Sequence, residues 1–224
     1  IQAARLAQQA TQSRLDALAA RLEPHFLFNT LQSVSALVDR DPPRARTMLA
    51  QLGDLLRDAL APSESGDVAL GEELRLLALY LAIEETRFAD RLHVTWEIAS
   101  DTRSCCVPRF LLQPIAENAL RHGLAPYTGA GQLCIRAIRD ANCLKLVVWN
   151  NGLPLPGTVT YGVGLTTTRE RLTTRYGSDA SLELAAADGG TATTIVVPAI
   201  VQPSTATSSA PSSAPSSAPS SDGG

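Results

Sequence analysis

The chain has 224 residues, 45% of them apolar and 18% charged, and carries a formal net charge of -3 at pH 7. That is enough apolar material for a core in one or two domains. The acidic balance argues against a general nucleic-acid binder, which needs a cationic surface to neutralise phosphates. Residues 1–22 are rich in Ala, Gln, Arg and Leu, and Leu15, Leu18 and Leu22 keep a three-then-four spacing suited to a helix that pairs with another. A helical pattern continues from His25 to about Val38 and stops at Asp39-Arg40-Asp41-Pro42-Pro43, where paired prolines forbid continuation. Its spacing predicts a buried stripe of Leu27, Leu31, Val34 and Val38, with His25, Asn29, Gln32 and Ala36 on the opposite side. A histidine so placed faces solvent. Pro24 predicts a kink or a helix start beside it. Over residues 44–60 a further helix carries Met48, Leu52, Leu55 and Ala59 along one side, with Leu49 and Leu56 next to them. Two amphipathic helices joined by a short turn make an antiparallel hairpin. Such a hairpin is a poor core alone, so it is expected to dimerise into a four-helix bundle.

Pro62-Ser63-Glu64-Ser65-Gly66-Asp67 breaks the composition and reads as a hinge. Residues 70–88 form another helical pattern with Leu74, Leu77, Leu81 and Phe88 on one side, after which the period changes from 3.6 to 2. A strand is predicted over 93–98, a hairpin from 133–138 and 144–149, and a second hairpin from 181–185 and 191–197 around Asp188-Gly189-Gly190. Helices are predicted over about 108–122 and 165–176. Mixed strands with helices on one face describe an α+β sandwich. The tail from Gln202 repeats Ser-Ser-Ala-Pro, has nothing to bury and is expected to be disordered.

Cys105, Cys106, Cys134 and Cys143 contain no C-x-x-C pair and have no His at ligand spacing, which argues against zinc and for a reducing, cytosolic setting. If Cys134 and Cys143 occupy two arms of one hairpin, they are not opposite each other. No apolar run approaches the roughly 18–20 residues a membrane helix needs. The chain opens with Ile1, so it is read as a piece of something longer, with any membrane or sensor portion preceding it.

Chemistry-bearing residues concentrate in the second half. In Gln113-Pro114-Ile115-Ala116-Glu117-Asn118-Ala119-Leu120-Arg121-His122-Gly123, helical spacing gathers Asn118, Arg121 and His122 on one surface, suited to phosphate oxygens and a hydrated Mg²⁺. The same residues could simply be a solvated helix face. Val147-Val148-Trp149-Asn150-Asn151-Gly152 is a strand running into a polar turn; Asn150 can meet an adenine amino group and Gly152 lets a base approach the backbone. On its own, Asn-Gly is also an ordinary hairpin turn. Gly157 to Gly164 is a flexible segment, with Gly162-Val163-Gly164 ahead of a helix where backbone N–H groups can meet phosphate.

In this order, the Pro-His-aromatic helix, Glu-Asn-Ala-x-x-His-Gly, the strand ending Asn-Asn-Gly, Gly-x-Gly-Leu and Arg-Glu-Arg-Leu-x-x-x-Tyr-Gly resemble the sensor histidine kinases of the LytS type over about residues 15–198. The resemblance implies a dimerising, phosphoacceptor helical hairpin (1–61), a hinge and linker helix (62–91), a Bergerat-fold α/β sandwich that binds ATP (92–200) and the tail (201–224). It implies His25 as phosphoacceptor, with Asn29 orienting the imidazole and Glu117 as a further catalytic group. Asn118 matches the Mg²⁺ ligand of the N box, and Arg121 and His122 match phosphate-side contacts. Asn150 and Gly152 match the adenine-binding box, while Gly162, Gly164, Leu165 and Thr166 match the box that closes the ATP lid. ATP and Mg²⁺ are the implied cofactors, and a second copy of the chain and a response-regulator receiver domain the implied partners.

Two positions depart from the wider pattern. Phe26 stands where many histidine kinases have an acid, which leaves the base unassigned with Glu23 nearby. Asn150 stands where the superfamily usually has Asp; an amide loses the charge-assisted part of the bond to adenine, but it can also donate, which predicts weaker rejection of guanine. Two rival readings use the same residues: a nucleotide-binding pseudokinase scaffold, and a Bergerat-superfamily ATPase without phosphohistidine.

Overall fold

The computed structural model describes residues 24–60, 66–155 and 161–201. The expected helix over 1–22, Glu23, most of the expected hinge, Gly157 and the Ser/Ala/Pro tail lie outside the described residues. Helix α1 (Pro24–Val38) and helix α2 (Pro42–Leu60) form the hairpin. Asp41 caps the turn by accepting the Arg44 N–H at 3.1 Å. In α2, Met48, Leu52, Leu55 and Ala59 are buried as their spacing predicts.

Helix α1 is rotated from its expected setting. Its buried row is Phe26, Thr30 and Val34, with Leu27 and Leu37 half-buried, whereas Leu31 and Val38 are 52% and 51% exposed. The helix has two apolar faces, and periodicity alone cannot say which one meets its own chain. The Phe26 ring packs on Tyr80 with centroids 4.9 Å apart, and the Thr30 hydroxyl is satisfied by donating to the Phe26 carbonyl at 2.8 Å, so a polar residue enters the core at little cost.

Strand β1 (Asp67–Ala69) leads directly into helix α3 (Leu70–Phe88). Helix α3 buries Leu74, Leu77 and Leu81 and packs against both the hairpin and the sheet that follows. Strands β2 (Leu92–Ile98), β3 (Cys106–Pro108), β4 (Gly131–Asp140) and β5 (Cys143–Asn150) come next. Helix α5 (Val163–Tyr176) and strands β6 (Ser181–Ala187) and β7 (Gly190–Pro198) complete the chain. Between β3 and β4 lies helix α4 (Gln113–Asn118), continued by a π turn (Ala119–Leu124).

The main sheet has five strands in the order β2-β4-β5-β7-β6, parallel between β2 and β4 and antiparallel elsewhere; β1 and β3 make a separate antiparallel pair. The α+β sandwich is therefore as expected. Leu133, Ile135, Leu146, Val148 and Ile195 face the helices and are buried. Cys134 pairs with Trp149 and Cys143 with Asp140, so the two hairpin cysteines are indeed not opposite, and all four cysteines are free thiols.

The helix expected over 108–122 is shorter at its start. Pro108 belongs to β3, and Phe110 takes a φ of 56°, which an α-helix cannot include. Buried Glu73 holds this connection in place, accepting the N–H groups of Phe110 at 2.8 Å and Leu112 at 2.9 Å; burial pushes its carboxyl above the usual range. Among the described residues no helix is long and apolar enough to cross a membrane.

Candidate active site

The segment Gln113–Leu124 separates two small pockets. Sequence spacing puts Asn118, Arg121 and His122 on one surface, but the backbone changes winding after Asn118. Ala125 donates to the Leu120 carbonyl five residues back at 2.7 Å. A π turn takes more residues per revolution than an α turn, so positions four apart stay aligned while positions three apart diverge. Accordingly Asn118 and His122 line one pocket, and Glu117 and Arg121 line the other.

The first pocket, about 70 Å³, is bounded by Asn118, His122, Gly123, Asn150, Thr191 and residues 153–155. Its floor depends on backbone contact. Leu153 N–H donates to the Gly123 carbonyl at 3.0 Å, and a Cβ on Gly152 would fall 2.2 Å from that same oxygen. Glycine is required at 152 for this close approach. Asn151 fixes the turn, its Oδ1 accepting from Gln132 N–H at 2.7 Å and its Nδ2 donating to the Ala130 carbonyl at 2.9 Å. Asn150 is 2% exposed, yet among the described residues its Nδ2 has no hydrogen-bond partner, and neither does the buried Thr191 hydroxyl. Two orphaned polar groups in one cleft fit a ligand with donor and acceptor atoms along a flat edge, as a purine has.

Thr191 escaped the sequence reading. Its one local signal is the Gly-Gly-Thr that follows the last hairpin turn; Gly190 is needed there because a Cβ would fall 2.1 Å from the Asn150 carbonyl. Gly162, Gly164, Leu165 and Thr166 are not among the residues lining this pocket: Gly162 caps α5, Gly164 lies against Pro114 and Leu165 is buried, whereas Thr166 is exposed and donates its backbone N–H to the Gly162 carbonyl at 3.0 Å. The loop ahead of it, residues 156–160, lies outside the described residues.

The second pocket, also about 70 Å³, is lined by His25, Phe26, Asn29, Tyr80, Glu84, Arg87, Glu117, Leu120, Arg121 and Ala125. His25 is exposed, as its helical azimuth predicts. Asn29 Nδ2 lies 3.1 Å from its Nδ1 and 3.3 Å from its Nε2, so the amide can donate to whichever ring nitrogen is unprotonated. Phe26, next in sequence, is a packing anchor, buried against Tyr80. Acids reach the histidine pocket from other elements instead: Glu84 from α3 and Glu117 from α4, the latter accepting the Gln113 amide at 3.0 Å. Glu84 and Arg87 were not anticipated, because nothing local marks a helix residue that will face a histidine more than fifty positions away.

A broader depression of about 470 Å³ lies on the open face of the sheet, between Glu97, Arg136, Lys145 and Trp149, remote from both pockets. Among the described residues its lining includes no histidine and no buried side-chain atom left without a hydrogen-bond partner.

Residues 13–92 match the family model described as histidine kinase. The chain is 37% identical over 177 residues to the sensor histidine kinase BtsS of Escherichia coli K12, covering 78% of this chain and 31% of that protein. It is 31% identical over 194 residues to the sensor histidine kinase YesM of Bacillus subtilis, covering 84% and 33%. With the sensor protein LytS of Staphylococcus haemolyticus it shares 31% over 199 residues, covering 83% and 34%. The chain thus spans about a third of the length of the curated relatives it matches. In fold it is similar to the histidine kinase domain of the blue-light activated histidine kinase EL346 of Erythrobacter litoralis, with a TM-score of 0.50 and 17% identity over 84% of this chain and 94% of that one. With its N-terminal helices and mixed sheet, the chain belongs to the sensor histidine kinases of the LytS, YesM and BtsS type.

Proposed function

We propose that this chain is a kinase core that phosphorylates His25 from Mg-ATP and passes the phosphoryl group to an aspartate of a response-regulator receiver domain. One observation carries the reading: alternate positions of a single helical segment line an exposed histidine on one side and a cleft with orphaned purine-edge groups on the other. In it, Asn150, Gly152 and Thr191 hold the base, His122 meets the phosphates, and Gly162, Gly164, Leu165 and Thr166 close over them. Arg121 acts from the histidine side, reaching the outer phosphate as it crosses. Asn118 supplies a side-chain oxygen for Mg²⁺. When bound, Mg²⁺ supplies charge neutralisation on the phosphates.

The protein's part is then positioning. Asn29 holds the imidazole until the phosphoryl group arrives, and Glu117 borders the reacting ring. The exposed apolar residues of the hairpin, Phe28, Leu31, Val38 and Leu49, support a homodimer that covers them. Replacing Leu31 and Val38 by Lys should then shift the chain from dimer to monomer in light scattering. The kinase test is incubation with labelled ATP and Mg²⁺: acid-labile label on the wild-type chain and none on His25→Gln supports the reading, and label persisting in His25→Gln defeats it.

Asn150 in place of an acid favours one second reading, a pseudokinase that binds nucleotide and acts as a dimeric scaffold. Nucleotide binding with no phosphohistidine would select it.

A further inference from the structure

The histidine pocket is closed from α3 by a pair that none of the kinase motifs contains. The Glu84 side chain is 2% exposed and accepts both Arg87 Nε, at 2.9 Å, and Arg87 Nη2 on the same oxygen. The guanidinium also lies over the Phe88 ring, 4.6 Å from its centroid. Held on two sides, it has a fixed plane. Its Nη1 makes no hydrogen bond among the described residues, and its side chain is 28% exposed.

Arg87 lines the His25 pocket and also the open depression beside it, formed with Asn29, Gln32, Ser33 and Ala36. The guanidinium therefore runs along the polar row on which His25 stands. Burying a carboxylate costs solvation that a surface pair would not incur, and a cation pinned in this way is preorganised for an anion.

We propose that Arg87, oriented by Glu84, is the cation that receives the phosphoryl group on His25, binding its oxygens through Nη1 as the group arrives and while phosphohistidine persists. The assignment rests on the kinase reading above. In the step, the lone pair of the unprotonated imidazole nitrogen forms the N–P bond while the bond from the γ-phosphorus to the β,γ-bridging oxygen breaks. The electron pair leaves with ADP, and the other ring nitrogen keeps its hydrogen. Bond formation itself thus requires no acid beside His25, in keeping with Phe26. Charge on the transferring oxygens is what needs an answer, and a fixed guanidinium supplies it. Arg87 touches the reacting group and is catalytic; Glu84 is a positioning residue.

The test uses the full chain and two phosphodonors: Mg-ATP, and potassium phosphoramidate, which phosphorylates imidazole without nucleotide. Wild type, Arg87→Lys, Arg87→Ala, Glu84→Gln and the double variant Glu84→Gln with Arg87→Gln are compared. Because Arg87→Ala takes the Arg87 partner from a buried carboxylate and can unfold the chain, the double variant removes both charges together; circular dichroism melting checks both. With phosphoramidate, Arg87→Ala and the double variant should form acid-labile phosphate about tenfold or more slowly than wild type, with Arg87→Lys between. Glu84→Gln should shorten the half-life of phosphohistidine, followed by intact mass, in the same direction as Arg87→Ala. Affinity for a fluorescent ATP analogue should stay unchanged, since Arg87 does not line the purine cleft. Wild-type labelling rates and half-lives in a folded Arg87→Ala or double variant overturn the proposal. If phosphoramidate labels the wild type but Mg-ATP does not, the kinase reading fails, and the phosphoramidate rates still decide the role of Arg87.

Discussion

The two pockets on either side of Gln113–Leu124 are alike in size and opposite in character. Around His25 stand two carboxylates and two guanidiniums, Glu84, Arg87, Glu117 and Arg121, of which Glu84 and Arg87 form an ion pair. The purine cleft is lined by amides, a hydroxyl and an imidazole, and its Asn150 amide and Thr191 hydroxyl are unsatisfied. Exposed and paired charges are largely satisfied without a ligand, whereas an orphaned buried polar group costs free energy until a ligand satisfies it. The contrast matches the two ends of a nucleotide triphosphate. On the proposed reading the charged phosphoryl group meets charged side chains, and the uncharged base meets neutral donors and acceptors that binding completes.

Separate substitutions should break one side and spare the other. The largest effect is expected for His25→Gln, which removes acid-labile label from Mg-ATP entirely, yet leaves binding of a fluorescent ATP analogue at the wild-type level in titration. Next comes Gly152→Ala, whose Cβ would fall 2.2 Å from the Gly123 carbonyl oxygen. Backbone must move to admit it, so thermal and urea melts should show destabilisation of about 2 kcal/mol, with loss of nucleotide binding. Asn150→Asp should sharpen the choice of base by introducing a group that only accepts. Preference for ATP over GTP should rise about tenfold, the worth of a charge-assisted bond near 1.4 kcal/mol. Equal discrimination by the two forms in paired titrations would count against a donor role for the amide. The smallest change is expected for Thr191→Val, which deletes an unsatisfied hydroxyl while keeping the branched shape. The nucleotide-free chain should gain about 1 kcal/mol in melting experiments, and ATP should bind more weakly. A loss of stability without ATP would mean that the hydroxyl already has a partner.

The same division governs what could be read from residues in order. Met48, Leu52, Leu55 and Ala59 are buried as their helical spacing predicts, and the β4–β5 and β6–β7 hairpins turn where Asp140-Ala141-Asn142 and Asp188-Gly189-Gly190 indicate. The three-residue strands β1 and β3 were not legible, being too short to display a period. Helix α1 offered two apolar rows, and only contact with Tyr80 selects the one through Phe26.

By itself, the sequence determined the four longer described helices, the two hairpins of the main sheet, the exposure of His25 and the candidate motifs of the nucleotide cleft, because 3.6- and 2-residue periods and glycine turns are properties of neighbouring residues. Tertiary structure alone decided that Arg121 parts from Asn118, that Thr191 joins Asn150, and that Glu84 and Arg87 border the histidine pocket. Each of these depends on a change of winding or on a meeting of side chains from separate elements. Packing between elements fixes them, and no local spacing encodes it.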